Sequence, residues 1–493
     1  MSSEKEKKKE SKTSFSEKSM YTWGKRTGKF SFWEKEAAAM LSGRKVLDPD
    51  FREAGKRIES KRKKIEPISV DKWRMREHSK KKESEYPRTF WKGDGKRIHG
   101  ASLRVREKKD RLFFMDKYSS GVLNCLYQNG PLTRMELMRL LKMRQNSIVE
   151  VCDTLEEEHL ILKEDASRRR NVRLDLNAPR FATLGVEHSP DRLQMILLDA
   201  KRKKQASKTL PLLPGLSPED RLKEILKTMR SFLAEHQTLR VVSIGFADAG
   251  IVDMDRGIGL FAAHLPGWRN IPLGRELESE FSVPCRLIDR LDAVCREDLM
   301  HLPVSELAGK NRFLVMVENG IGVSIFHKGD FWTQNCPFSG QLGHTVVRPG
   351  GEICHCGNRG CLETIAGFQA ITERVGRLTG CRPENVEELL RMEEEGNRHV
   401  RLVLREAGET LGIALTNMVQ LIGITEVIVL TRLWHPGSTF FEAMGRVMRE
   451  NTLYPLSETL SLSGKTPDPE AAAAGAALFA QNEWFREPSS ALL

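Results

Sequence analysis

Hydrophobic and polar positions change rhythm twice along the chain. Residues 1–117 hold no sustained period. Residues 118–178 carry apolar positions three and four apart, and then a short alternation. From residue 179 to 493, apolar runs of strand length alternate with longer amphipathic segments. These shifts predict three parts: an arm (1–117), a small helical module (118–178) and an α/β body (179–493).

In the module, SSGVLNCLYQNG places Val122, Leu123, Leu126 and Tyr127 on one helical face, and Gly130 followed by Pro131 marks its end. PLTRMELMRLLKM comes next. Thr133 and Glu136 have the spacing at which a hydroxyl and a carboxylate each satisfy a free backbone N–H at a helix start. Leu137, Leu140 and Leu141 form its predicted buried face. In RQNSIVEVCDTLEEEHLI, Ile148, Val151, Cys152 and Leu155 share a side. Three short helices with a tight turn before the third predict a helix-turn-helix. LILKEDASRRRNVRLDLN then predicts two strands around an arginine-rich tip, a wing. The third helix would enter the major groove of double-stranded DNA by its first residues, Arg144, Gln145, Asn146 and Ser147, with Glu150 further along that face. Arginine can donate twice to guanine, and Gln or Asn can pair twice with adenine. Arg168, Arg169 and Arg170 on the wing would reach phosphates or the minor groove. The plainer alternative is a helical bundle used for protein–protein contact.

In the body, FATLGVE and LQMILLDA predict paired strands, and SPEDRLKEILKTMRSFLAEH an amphipathic helix with a polar start. LRVVSIGFA and PCRLID predict further strands, RFLVMVENGIGVSIFHKG a hairpin and TEVIVLT a late strand. Ala366–Arg377, Glu387–Met392 and His399–Ile422 are expected to be helical. The order is that of an α/β fold, with two lobes expected.

Charge sharpens the division. The formal net charge is +12, but residues 1–117 alone hold roughly 35 basic and 19 acidic side chains, leaving the remainder slightly acidic. Runs such as KRKK (61–64) lie among aromatics such as Trp23, Trp33, Trp73 and Trp91. Such an arm suits a polyanion, or it is a solvated tail; some helix is expected near Glu34–Arg62. No stretch approaches 18 uncharged apolar residues, so no membrane span is expected, and the N-terminus lacks the apolar core of a secretory signal. Nine scattered cysteines fit a reducing cytoplasm better than a disulfide scaffold.

One stretch concentrates chemistry. GHTVVRPGGEICHCGNRGCLE, Gly343 to Glu363, spaces His344, Cys354, Cys356 and Cys361 as His-x9-Cys-x-Cys-x4-Cys. One imidazole and three thiolates make a closed tetrahedral set suited to a structural zinc, with no position left for a reacting water. His355 reads as an exposed turn residue. Cys125, Cys152, Cys285, Cys295, Cys336 and Cys381 read as buried apolar residues.

The helix-turn-helix together with GIVD, LPGW, GIG, GH and CHCGNRGCLE resembles the ROK family of repressors, open reading frames and sugar kinases. The likeness runs from about Ser119 to Phe485. It implies an N-terminal winged helix-turn-helix followed by a two-lobed actin-like, ribonuclease-H-like fold. It also implies that His344 and Glu363 face a sugar, with Gln341, His264 and Asp289 at the other sugar-contacting positions. Several positions depart from the pattern of the family's kinases. The Asp-x-Gly-Gly-Thr phosphate loop is GVEHSPD (185–191) here, with Glu187, Ser189, Pro190 and Asp191 at its key places. Proline removes an N–H and an acidic group repels phosphate. The aspartate that serves as general base becomes Arg290 in an ungapped reading, and a guanidinium cannot take up that proton near neutral pH. Glu318 and Asn319 replace glycine and threonine in the hairpin, and Thr431 and Arg432 replace a late glycine pair.

The resulting expectation is a cytoplasmic, dimeric DNA-binding regulator, a repressor responding to a sugar or sugar derivative, with kinase activity lost. Two alternatives stand: a divergent sugar kinase that uses Asp292 as its base, and a scaffold held to nucleic acid by its arm.

Overall fold

Gly130, at φ 73°, closes the first helix and begins a chain of local signals that set up the N-terminal module. The computed structural model describes residues 117–164, 172–300, 304–334, 336 and 338–487. The arm, with the helix expected near Glu34–Arg62, lies outside them. Helix α1 (Lys117–Asn129) leads through strand β1 (Leu132–Thr133) into α2 (Arg134–Leu141) and α3 (Gln145–Glu157). Thr133 and Glu136 make the reciprocal cap at the start of α2, and Lys142 in the left-handed region turns the chain into α3. Arg134 ties α2 to α3 by pairing with Asp153 at 2.5 Å and Glu156 at 2.8 Å. Strands β2 (Ile161–Glu164) and β3 (Arg173–Leu176) form an antiparallel sheet with β1, in the order β1-β3-β2. Val122, Leu123, Leu126, Leu137, Ile148, Cys152 and Leu155 form its core. Leu140 does not join them: it is 53% exposed, because α2 is only eight residues long and buries a single residue, Leu137.

The body contains two five-stranded sheets of one design. The first uses β4 (Ala182–His188), β5 (Arg192–Leu198), β6 (Lys204–Pro211), β7 (Val241–Asp248) and β11 (Cys285–Asp289), in the order β11-β7-β4-β5-β6. The small strands β8 (Ile251–Asp253), β9 (Ile258–Phe261) and β10 (Arg269–Ile271) form a separate meander. The second sheet uses β12 (Asn311–Val317), β13 (Ile321–His327), β14 (Asp330–Phe331), β15 (Glu426–Leu430) and β16 (Ser461–Lys465), in the order β14-β13-β12-β15-β16. Each is an antiparallel three-strand meander extended by two parallel strands on the side of its first strand. Helices α4 (Pro218–Ala234) and α5 (Leu273–Phe281) contribute to the core of the first sheet. Helices α7 (Phe368–Thr379), α8 (Val386–Glu394), α9 (Arg398–Ile422) and α10 (Thr439–Asn451) share a core with the second.

Two helices join the sheets: α6 (Arg290–Leu299) and α11 (Ala471–Arg486). Ala293, Val294, Cys295 and Leu299 of α6 and Ala471, Ala472 and Ala476 of α11 share one core with Ala247 and Ile288 of the first sheet and Leu314, Met316, Ile428 and Leu430 of the second. The alanine-rich face of α11 permits backbone contact on several sides. A Cβ at Gly475 would lie 1.7 Å from the Ala293 carbonyl oxygen, and one at Gly185 or Gly245 would lie 1.9 Å from carbonyl oxygens of the helix. At its far end α11 meets the N-terminal module. Tyr127 stacks on Phe485 at 4.2 Å and donates a hydrogen bond to Asn482 at 2.6 Å, while Phe181 packs against Trp484.

The strands β6, β8–β10, β14 and β16 and the helices α5, α6, α10 and α11 were outside the sequence expectations, whereas the other labelled strands and helices of the body fall in the expected segments. Of the cysteines expected to be buried, Cys336 and Cys381 are exposed and Cys125 is half-buried. All three sit at element ends or on a partly wetted face rather than in a strand. Gly475→Ala should destabilise the protein by at least about 3 kcal/mol in urea titration, because the added carbon meets backbone. Gly309→Ala, whose Cβ would meet nothing closer than 3.9 Å, should change stability by less than about 1 kcal/mol.

Candidate functional site

The cleft between the two sheets encloses about 590 Å³. Strand ends, the first turn of α6 and the loops around them deliver its polar groups. Glu187 ends β4, Arg290 opens α6, and Glu318 follows β12; the structure brings the three together. Arg290 Nε lies 2.6 Å from Glu187 Oε1, and its NH1 lies 3.0 Å from Glu318 Oε2. Glu187 is fully buried and also receives Arg192 at 3.4 Å. Burial alone would lower the pKa of the Arg290 guanidinium, but the two carboxylates hold it above its ordinary value. Three of the departures from the kinase pattern are therefore one ion cluster.

The loop Ser189–Asp191 is braced from beneath. Arg221, buried on α4, donates to the carbonyls of Ser189 (3.3 Å), Pro190 (3.0 Å) and Leu213 (3.4 Å). Its NH1 also lies 3.2 Å from His188 Nε2; His188 Nδ1 is 2.9 Å from Asp248, and Trp268 donates to the same carboxylate at 2.9 Å. These carbonyls point at a buried cation, so the loop offers acceptors inward where a phosphate site needs donors. Sequence reasoning missed this chain. Trp268, the last residue of LPGW, was its only visible signal.

Asp289 caps α6, accepting the amides of Leu291 and Asp292 at 2.8 and 3.2 Å. Burial, with the neighbouring Asp292 charge, pushes its carboxyl up to about 7. Asp292 is buried behind the cleft lining, where it accepts Ser324 Oγ at 2.5 Å and the Thr333 hydroxyl. Burial raises its pKa too. Both its oxygens are committed to hydroxyls, and it is absent from the cleft lining.

The other half of the cleft gathers His264, Gln341, His344 and Glu363 beside the turn Glu318–Gly320. His264 Nε2 stands 3.1 Å from Glu363 Oε1, and the Ile321 amide donates to Glu363 Oε2 at 3.2 Å. Burial pushes the Glu363 carboxyl up, but His264 and His344 outweigh it and leave the pKa below its usual value. Gln341 reaches the Ser339 carbonyl at 3.5 Å. Ser339 Oγ and Arg192 Nε, both on lining residues, are buried without hydrogen-bond partners, so the cleft retains capacity for a polar ligand. His355 is exposed, yet its ring packs 5.0 Å from that of His264.

The four expected metal ligands converge, each offering an atom within 4.8 Å of the others. Cys354 Sγ is 3.5 Å from His344 Nδ1, and Cys356 Sγ is 3.8 Å from Cys361 Sγ. Thiolates at about 2.3 Å from a tetrahedral ion stand roughly 3.8 Å apart, so the donor set fits a metal of zinc's size. Gly360, at φ 73° and with no room for a Cβ against the Arg348 carbonyl, lets the loop close. Burial pushes the Cys354 thiol up to about 12, so holding it as thiolate calls for a cation.

In the N-terminal module, Arg144 precedes α3 as its cap, and Arg144, Gln145, Asn146 and Glu150 are exposed, with Ser147 half-buried. Arg168, Arg169 and Arg170 lie outside the described residues. Among the described residues no helix is long and apolar enough to cross a membrane.

Comparison with known proteins agrees with this geometry. The chain is 24% identical over 377 residues to the DNA-binding transcriptional repressor Mlc of Escherichia coli (strain K12), covering 73% of this chain and 92% of that protein. It is 28% identical over 263 residues to the DNA-binding transcriptional dual regulator NagC of the same organism, covering 52% and 64%. A crystal structure of a ROK family transcriptional regulator homologous to E. coli Mlc superposes with a TM-score of 0.62 at 23% identity, covering 74% of this chain and 96% of that one. A ROK family glucokinase from Streptomyces griseus, solved with glucose and AMPPNP, superposes at 0.51 and 19% identity, covering 61% and 99%. These likenesses show the fold. The ROK family profile matches residues 183–483, and the chain belongs to the ROK family.

Proposed function

We propose that the chain is a DNA-binding transcriptional regulator, acting as a repressor and working as a homodimer. Residues 118–178 serve as a winged helix-turn-helix, and residues 179–493 as an effector body without phosphoryl-transfer activity. The observation that carries this reading is the exposed polar turn Arg144–Gln145–Asn146 at the start of α3. It stands on a capped and ion-paired α2–α3 unit beside a three-stranded sheet. Those side chains have the donors and acceptors that read base edges, and Ser147 and Glu150 flank them. Arg168, Arg169 and Arg170 would add phosphate or minor-groove contacts. The relatives described as DNA-binding repressors and regulators support the same assignment.

The effector would be a sugar or sugar derivative held by His264, Asp289, Gln341, His344 and Glu363, all in the cleft lining. Helix α11 offers the physical route from cleft to DNA. Asp468, Pro469 and Ala472 at its start line the cleft, and its last turns carry the contacts to Tyr127. At about 1.5 Å per residue the helix spans about 24 Å. A ligand would act through it only by binding two arrangements of the lobes with different affinity. Arg290 in the place of the base argues against a kinase, and so do the inward-turned carbonyls of the former phosphate loop. The enclosed Asp292 does not rescue that reading. The metal at His344, Cys354, Cys356 and Cys361 would be a structural zinc that braces the loop behind Glu363. Bound there, it supplies charge and cross-linking rather than an open coordination position.

Selection from a random duplex library at moderate salt should enrich one sequence family with two related half-sites; no enrichment would sink the regulator reading. Gln145→Ala or Asn146→Ala should cost about 1–3 kcal/mol and relax preference at one position per half-site. Purified protein should show no sugar-dependent ATP turnover across a panel of hexoses and amino sugars, and turnover with any of them would restore the kinase. Metal analysis should find one zinc per chain, lost in Cys356→Ser and His344→Ala. If the ion is structural, thermal stability falls in these variants before any DNA response is altered.

A further inference from the structure

We propose that Arg290 is a resident internal ligand of the cleft: held by Glu187 from the first sheet and by Glu318 from the second, it latches the two lobes together without a nucleotide. The geometry is that of a bridge. Glu187 is fully buried and needs a cation, which Arg290 provides at 2.6 Å. The same guanidinium turns its NH1 to Glu318 at 3.0 Å, and that NH1 also lies 3.0 Å from Met316 Sδ at the end of β12. A planar fork can serve two carboxylates at once, which a lysine cannot do with the same direction. The other end of α6 is tied to the second sheet as well. Asp298 pairs with Arg312 of β12 and with Lys465 of β16, both at 2.6 Å. Helix α6 is thus anchored at two points, one at its C-terminal end and one at the cleft.

The cleft-side anchor is the one able to yield. Glu318 is 34% exposed and holds α6 through Arg290 alone, whereas Asp298 is held by both Arg312 and Lys465. Glu318 also belongs to a turn that touches the ligand half. A Cβ at Gly320 would lie 3.2 Å from His264 Nε2 and 3.3 Å from Glu363 Oε2. The turn is held by the Phe368 amide donating to the Glu318 carbonyl at 2.8 Å and by the Ile321 amide donating to Glu363. A molecule seated against His264 and Glu363 would press on the element that carries the latch. Glu318–Gly320 is therefore the moving part, with Arg290 as its catch.

The latch requires neither DNA nor effector, so its test stands apart from the regulator reading. Hydrogen exchange by mass spectrometry would be run on the full chain as wild type, Glu318→Gln, Arg290→Lys and the double variant Arg290→Lys/Glu318→Gln. Glu318→Gln keeps the shape of a half-buried side chain and should speed exchange at Ile321 and Phe368 by about tenfold, with α1–α3 unchanged. Arg290→Lys keeps the charge for Glu187 but loses the fork, and should produce a similar loosening. The double variant should add little to either single change, since all three remove one bridge. Exchange at these amides within about twofold of wild type in Glu318→Gln would overturn the latch, and so would simple additivity of the two changes.

Discussion

The molecule depends on backbone lying directly against backbone in the layer between its sheets. Helix α11 approaches β4 and β7 so closely that only glycine fits at 185 and 245, and it meets α6 through Gly475. Such contact leaves little slack: close-packed interiors transmit displacement because no side chain is present to absorb it by changing rotamer. α6 carries Asp289 and Arg290 into the cleft, and α11 begins at the cleft and ends on Tyr127 and Phe181. The same packing that stabilises the body also connects its two ends.

Within this frame the cleft has a charge problem. Glu187 is fully buried at the end of β4, where an unpaired carboxylate would cost several kcal/mol. An arginine at 290 without its partners would be a buried unpaired cation, and a glutamate at 318 without that arginine would add an anion beside the carboxylate already buried at 187. Together they satisfy one another. The Ser189–Asp191 loop follows the same logic, since Arg221 in an interior position is matched by carbonyls and the His188–Asp248 pair rather than by a facing carboxylate. In this half of the cleft Glu187, Arg290, Glu318 and the carbonyls of Ser189 and Pro190 are engaged by internal partners.

Much of this was legible in the sequence. The capping box at Thr133 and Glu136, the helix-ending Gly130 and the spacing of His344, Cys354, Cys356 and Cys361 are local signals, each set within about twenty residues; the structure forms the cap and brings those four side chains together. Leu140 was misread because periodicity marks a possible face and not the depth to which a short helix is buried. The edge strands β6 and β16 were missed because they alternate weakly and expose much of their length. Helix α11 has almost no amphipathic contrast: alanine lines nearly every side, and a helix enclosed all round carries no polar stripe to announce it. The ion cluster was visible only as three separate oddities at 187, 290 and 318. Pairing them requires the fold, because the contacts span 103 and 28 residues of sequence.

The Gly343–Glu363 loop ties these pieces to the half of the cleft lined by His264, Gln341 and Glu363. His344 is both a member of the four-ligand set and a lining residue. Cys354 Sγ lies 3.9 Å from Glu363 Oε1, and His355, between two cysteines, rests its ring on His264. An ion at this point would fix the loop whose residues back Glu363 and cover His264, without touching a ligand itself. Its influence would be on shape: it sets how far Glu363 stands from the Glu318–Gly320 turn. A loop stiffened by such an ion on one side, with the turn we propose to move on the other, would let a bound molecule's size become a displacement of the turn, and from there of α6 and α11.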